Sequence, residues 1–313
     1  MMEYLIEITN LEKTYKSIRK TRKALDGLTM SVPRGVVHGL LGPNGAGKST
    51  TFRIITGLTQ FDGGQVIVFG RSIPSELYYV MRNVGVIDEN PHFLSDMSAL
   101  ANPRLLAYSS GIDRRQIPIV LERVKLINRS DDLVRSYSHG MKQRLAIVAA
   151  MLKEPDIFLF DEPTNGLDPE GTVMLRNIVN ELRAFGKTIL ISSHDLSEME
   201  KLADTISIIM KGKLLTEGTL SDIQMNYGMT IEIITSSAEA ACMHLRDAGL
   251  RVERQQNRIL VFNQNNSDLI TDLLNHFGIP ILYMQVQKAS LEDIFLDLAI
   301  TNNSETKTTI SHP

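Results

Sequence analysis

A single cysteine, Cys242, stands among the 313 residues, so no disulfide can close within the chain and a reducing cytosol is its natural setting. Nor does any stretch approach the roughly 18 uninterrupted apolar residues that a membrane-spanning helix needs. The opening MMEYLIEITN carries Glu3 and Glu7 and alternates as a strand does, which predicts no secretory leader. Work at a membrane would therefore depend on binding something already embedded there. A formal net charge of −3 provides no broad basic face, which argues against nucleic acid as a partner. Internal repeats are absent. The chain is 43% hydrophobic and 22% charged, the composition of an ordinary globular protein, and it is long enough for one large domain and one smaller.

Apolar runs predict strands over residues 3–9, 24–32, 36–41, 65–69 and 84–87, with a helix over 49–58 behind the glycine-rich turn 42–47. Residues 95–152 read as mostly helical, with Pro103 and Pro118 as helix starts or breaks. Strands at 157–160, 188–192 and 205–210 then alternate with helices at 169–185 and 196–202. Buried strands with crossover helices make a parallel-sheet α/β core, here interrupted by a helical insertion. After about Asn226 the order changes to strand 229–235, helix 238–248, strands 251–253 and 258–262, a helix from Ser267, and strand 281–287. That βαββαβ order belongs to a ferredoxin-like α+β domain. A last helix opens at Ser290 with Asp293 three residues on, and the polar stretch 301–313 reads as a disordered tail.

Gly42-Pro43-Asn44-Gly45-Ala46-Gly47-Lys48-Ser49 fits G-x4-G-K-[ST] between a strand and a helix, with Thr50 continuing into that helix. Glycines let successive backbone N–H groups curl around phosphates, and the helix N-terminus adds partial positive charge. Lys48 reaches the β- and γ-phosphates, and Ser49 offers a hydroxyl to Mg²⁺. An accidental match somewhere in a chain of this size has odds on the order of one in a hundred. Further on, the apolar strand 157–160 runs into Asp161-Glu162-Pro163, which places the acids at the sheet edge beside the phosphate loop. There Asp161 would orient Mg²⁺ through water and Glu162 polarise an attacking water. Acids at a strand end are otherwise commonly solvated loop residues, and the phosphate loop tips the balance.

Tyr137-Ser138-His139-Gly140-Met141-Lys142-Gln143-Arg144 resembles the signature loop of ABC ATPases. The run Phe160-Asp161-Glu162-Pro163-Thr164-Asn165-Gly166-Leu167-Asp168 resembles their Walker B segment and D-loop, and Ser192-Ser193-His194-Asp195 their switch-histidine loop. The resemblance covers roughly residues 3–225. It implies a P-loop NTPase cassette over 1–225, with a parallel-sheet core, an antiparallel β subdomain and a helical insertion at about 90–152. Residues 226–300 would be an accessory domain. It further implies a head-to-tail dimer with two ATP molecules between the subunits. Ser138 and Gly140 of one copy would then contact the γ-phosphate held by the other's Lys48. His194 would bond the γ-phosphate or the water and link Glu162 to the opposite Asp168, and Tyr15 would stack on adenine.

Two segments depart from the family pattern. His139 and Met141 replace a glycine and a glutamine of the common signature, while Ser138 and Gly140 are retained. Glu89 stands where the family carries a glutamine; a carboxylate can bind Mg²⁺ or water but only accepts hydrogen bonds. Glu89, together with a C-terminal extension ending in Ser290-Leu291-Glu292-Asp293-Ile294-Phe295-Leu296, resembles bacitracin- and lantibiotic-type export or self-protection cassettes. Drift at a tolerant position is the plain alternative for Glu89. The implied function is an ATPase on the cytoplasmic face of a bacterial plasma membrane, driving a separate permease that docks near Pro91-His92-Phe93-Leu94 and Met97. The alternative is an ATP-sensing regulatory subunit that hydrolyses weakly. A soluble ABC ATPase of ribosomes or DNA fits less well, since this chain has neither a second cassette nor long coiled coils.

Overall fold

The structure, a computed structural model, describes residues 3–17, 20–262 and 267–308. By its contacts the chain divides into two units, Met1–Glu217 and Gly218–Pro313.

In the first unit β1 (Tyr4–Ser17) and β2 (Lys20–Pro33) form one long antiparallel hairpin, well beyond the strands predicted there. Branched and apolar residues bury its base, with Leu5, Ile6, Ile8, Leu11, Leu25, Leu28 and Val32 in the core. Its outer half carries Lys13, Tyr15, Lys16 and Arg22, polar enough to run on as exposed strand. β3 (Val37–Leu41) follows, then the phosphate loop and α1 (Lys48–Ile55). β4 (Gly63–Val68) and β5 (Arg71–Ile73) complete an antiparallel sheet in the order β2-β1-β4-β5. The short helix α2 (Leu77–Met81) leads to β6 (Val84–Ile87).

The insertion becomes helical later than predicted, with residues 88–100 irregular. α3 (Ala101–Ser110) and α4 (Gln116–Arg123) place Pro103 and Pro118 in their first turns, where the missing N–H costs no bond. α5 (His139–Met151) is capped by Ser138, whose hydroxyl accepts from the Met141 N–H. The core then alternates: β7 (Ile157–Phe160), α6 (Pro169–Ala184), β8 (Thr188–Ser193), α7 (Leu196–Leu202), β9 (Thr205–Met210). β10 (Lys213–Thr219) joins through Lys211-Gly212, both at positive φ as a tight hairpin turn requires. The six strands lie in the order β10-β9-β3-β8-β7-β6, with β9, β3, β8, β7 and β6 mutually parallel. β3, β7 and β8 are buried at every residue, as strands covered on both faces must be. His38, fully buried on β3, bonds Thr205 Oγ1 through Nδ1 and Ser207 Oγ through Nε2, at 2.9 and 2.8 Å.

The second unit begins before α8 (Leu220–Asn226), not after Asn226 where the sequence pattern changes. β11 (Met229–Ile234), α9 (Ala238–Asp247), β12 (Arg251–Gln255), β13 (Arg258–Phe262), α10 (Ser267–His276) and β14 (Tyr283–Lys288) follow. All pairings are antiparallel and the order is β12-β13-β11-β14, that of a ferredoxin-like domain. Ile231, Ile233, Ile259 and Val261 pack against Ala241, Leu245, Ile270 and Leu274 of α9 and α10. α11 (Leu291–Thr308) opens on a reciprocal capping box, Ser290 N–H to Asp293 Oδ2 and Asp293 N–H to Ser290 Oγ, both 3.1 Å. It runs to Thr308, past Ile300, correcting the disordered tail predicted from Thr301. Nothing between Leu291 and Thr308 stops it, since the segment contains neither glycine nor proline. Residues 309–313 of that predicted tail lie outside the described residues.

Candidate active site

β3, β6, β7 and β8 are parallel neighbours, so the loops leaving their C-terminal ends meet along one edge of the sheet. A cleft of about 350 Å³ opens there. From the phosphate loop and α1 come Pro43, Asn44, Gly45, Gly47, Lys48, Ser49 and Thr50; Glu89 follows β6, Glu162 follows β7, His194 follows β8, and Tyr15 comes from the hairpin. Gly42 and Ala46 do not line the cleft. A Cβ on Gly42 would stand 2.4 Å from the Ile209 carbonyl, so that glycine lets the loop pass tightly over β9. α1 begins without a side-chain cap, which leaves its first N–H groups available to an anion.

The acids at the end of β7 are almost fully buried, as is Lys48. Lys48 Nζ donates to the Gly42 carbonyl at 2.6 Å and lies 3.1 Å from Glu162 Oε1. The other carboxylate oxygen, Oε2, is 2.7 Å from His194 Nδ1. A carboxylate only accepts, so Nδ1 carries the proton in this contact. Glu162 itself has a positive φ of 48°, a left-handed turn that swings its side chain back across the sheet edge. Ser192 braces both acids: it receives the Glu162 N–H at 2.8 Å and donates to Asp161 Oδ1 at 2.7 Å. Burial raises the Asp161 pKa, which hydroxyl bonds from Ser192 and Ser49 partly offset and the charges of Asp88 and Glu162 reinforce.

Ser138, Gly140 and Asp168 are grouped away from the cleft. A Cβ on Gly140 would stand 2.6 Å from the Gly166 carbonyl, and one on Gly166 only 2.1 Å from His139 Cδ2. The His139 ring thus lies over Gly166, whose φ of 78° also suits glycine. Asp168 Oδ1 caps α6 through the Gly171 N–H at 2.9 Å and receives Arg144 Nη2 at 2.8 Å. Those two bonds, the backbone one foremost, hold its carboxyl below the usual range. The signature loop and D-loop of one chain form a single block.

Tyr15 lies within β1 and not after the first strand, because the hairpin is longer than the sequence pattern suggested. Reading along the sequence missed Arg22, Arg53 and Asn165, which also line the cleft. The register of the β1–β2 hairpin is the signal that would have found Arg22, since it stands directly opposite Tyr15. Ser192 was legible only as part of its loop; its contacts with both acids depend on β7 and β8 being neighbours.

Residues 25–165 match the family described as ABC transporter. An uncharacterized ABC transporter ATP-binding protein of Bacillus subtilis (strain 168), YcbN, is 33% identical over 97% of this chain and 99% of its own length. The bacitracin transport ATP-binding protein BcrA of Bacillus licheniformis is 35% identical over 95% and 98%. Among solved structures, the dimeric post-hydrolysis state of the ATP-binding cassette MJ0796 bound to ADP and Pi is 25% identical, with a TM-score of 0.64, covering 69% of this chain and 98% of that one. This chain belongs to the ATP-binding proteins of ABC transporters, and its activity is that of the family's ATPase subunit.

Proposed function

We propose that the chain holds Mg²⁺-ATP in the cleft, closes head to tail on a second copy, and drives a separate permease from the cytoplasmic face of a bacterial membrane. The observation that carries this reading is the Lys48–Glu162–His194 chain of contacts at the mouth of the phosphate loop. A γ-phosphate would compete with Glu162 for Lys48. Glu162 would then be left with His194 and a water as partners, the arrangement a general base needs. His194 Nε2 faces outward from that bond and could take a proton from the water or receive one from a neighbour.

The cleft also suits the cation that accompanies the nucleotide. Among the described residues no cluster of three or more His, Cys, Asp or Glu side chains could hold a metal unaided. Mg²⁺ requires no such cluster, because it takes one or two carboxylates and completes its shell with phosphates and water. Ser49, Asp161 and Glu89 would hold it, and a cation is what a buried carboxylate with hydroxyl partners lacks. Once bound it would neutralise charge on the phosphates.

Dimerisation is supported by the grouping of Ser138, Gly140 and Asp168 outside the chain's own cleft, since such a block can serve a partner's nucleotide. The dimeric MJ0796 cassette lends the same support. The permease would dock beside Glu89, where Leu94 is exposed. Among the described residues no helix is long and apolar enough to cross a membrane, in keeping with a peripheral subunit. The cargo we propose is a peptide antibiotic, drug or similar amphiphile, on the strength of the bacitracin transport relative aligned over 98% of its length. To the ferredoxin-like residues 226–300 we assign an accessory role, in dimerisation or in stabilising the chain.

Steady-state hydrolysis by the full chain, purified with the membrane protein that accompanies it, tests the reading. Mg²⁺-dependent turnover that Lys48→Ala abolishes is the expected result. Tight ATP binding without turnover would instead favour a regulatory subunit.

A further inference from the structure

β2 crosses the phosphate loop more closely than a neighbouring strand need do. A Cβ on Gly47 would lie 2.7 Å from Leu25 Cδ2 and 2.9 Å from the Ala24 carbonyl. Two residues earlier in β2, Arg22 meets Gly45: Nη2 donates to the Gly45 carbonyl at 2.9 Å, and a Cβ there would lie 2.7 Å from that nitrogen. The strand pairing shifts register between Leu25 and Lys23, which leaves Ala24 as an extra residue there; Arg22 and Ala24 both line the cleft, while Lys23 pairs with Asp26 and Glu12. Arg22 is also the cross-strand partner of Tyr15, and both side chains line the cleft.

We propose that Arg22 is a nucleotide-binding residue that grips the phosphate chain of the bound nucleotide from the hairpin side. This rests on the cleft being the nucleotide site. A guanidinium has five N–H donors in a planar fork, and one is committed to the loop carbonyl. Among the described residues no carboxylate pairs with Arg22, and its guanidinium is held by the Gly45 carbonyl. The commitment to Gly45 fixes the fork against the loop whose N–H groups cradle phosphate, and planar bidentate donors are what phosphate oxygens accept best. Tyr15 opposite supplies the flat apolar face for the base. The hairpin would thus present the two halves of a nucleotide with matching chemistry across one strand pair.

The inference is tested by measuring binding of ATP and of GTP to the full chain carrying Arg22→Ala, Arg22→Lys, Lys23→Ala or Lys48→Ala, with thermal midpoints confirming folding. Loss of a charge-assisted contact should weaken ATP by about tenfold or more. A phosphate contact predicts the same factor for GTP. Arg22→Lys should recover part of the loss, since it keeps the charge without the fork, and Lys23→Ala should bind as the parent does. Unchanged affinity in Arg22→Ala, or a loss confined to one base, would overturn the assignment. Lys48→Ala distinguishes the two levels: if it binds ATP normally the nucleotide site itself is misplaced, whatever Arg22 does.

Discussion

His194 Nδ1 stands 2.7 Å from Glu162 Oε2, although the two residues leave different strands and are separated by the whole of α6. The pairing requires β7 and β8 to be parallel neighbours, and it requires the left-handed turn at Glu162. It also fixes the imidazole tautomer, because the carboxylate can only accept. A strand order thereby sets which ring nitrogen faces the carboxylate.

The second such coupling joins the signature loop to the turn behind the Walker B acids. Gly166→Ala places a methyl 2.1 Å from His139 Cδ2, and adds left-handed strain of about 1 kcal/mol. Gly166→Ala should lower ATP turnover by about tenfold or more through displacement of His139 and the adjoining Gly140. The double variant His139→Gly with Gly166→Ala should recover much of that loss. Equal turnover in the single and double variants would show that the contact is not what couples the loops.

His38 makes stability depend on pH in a defined direction. Burial lowers its pKa to about 3 from 6.5. Below pH 6.5 the unfolded chain takes up a proton that the folded chain refuses until about pH 3, so stability falls as pH falls across that window. At pH 5 the loss from this one group is about 2 kcal/mol. His38→Gln keeps a donor and an acceptor for Thr205 and Ser207 without titrating. Denaturant unfolding at pH 7 and pH 5 should show a difference smaller by about that amount in the variant. An identical difference would mean that His38 is charged in the fold.

In the second unit the buried Asp297 of α11 is paired with Arg251 Nη1 of β12 at 2.8 Å. Burial pushes the Asp297 carboxyl up and Arg251 pulls it down. Arg251→Ala removes the cation and should destabilise this unit by about 2 kcal/mol, moderated because Arg251 is half exposed. Adding Asp297→Asn should restore part of it. A double variant less stable than Arg251→Ala would contradict a pair held mainly by its charge.

The parts of the fold legible in the sequence are those whose signal is local. The phosphate loop, the acids after the strand Ile157–Phe160, the Ser290–Asp293 capping box and the βαββαβ order all depend on residues a few positions apart. The length of the β1–β2 hairpin did not, because its outer half has no apolar alternation and is held by cross-strand pairing. The apolar alternation therefore ends before Tyr15 and carries no sign of Arg22, its cross-strand partner. The contacts of Ser192 with Asp161 and Glu162, and of His139 with Gly166, join segments distant in sequence, and only the tertiary arrangement reveals them. Polar composition alone predicts a tail after Ile300, yet no glycine or proline ends the helix before Thr308.

We propose that Glu162 activates the water that cleaves ATP bound between two copies of the chain. Glu162→Gln keeps the size of the side chain and removes its capacity to take a proton. Size-exclusion chromatography of this variant with Mg²⁺-ATP, alongside its steady-state turnover, tests the claim most directly. The account predicts an ATP-dependent dimer that persists and turnover reduced by about a hundredfold or more. A variant that turns over ATP as the parent does, and elutes as a monomer with ATP, would contradict it.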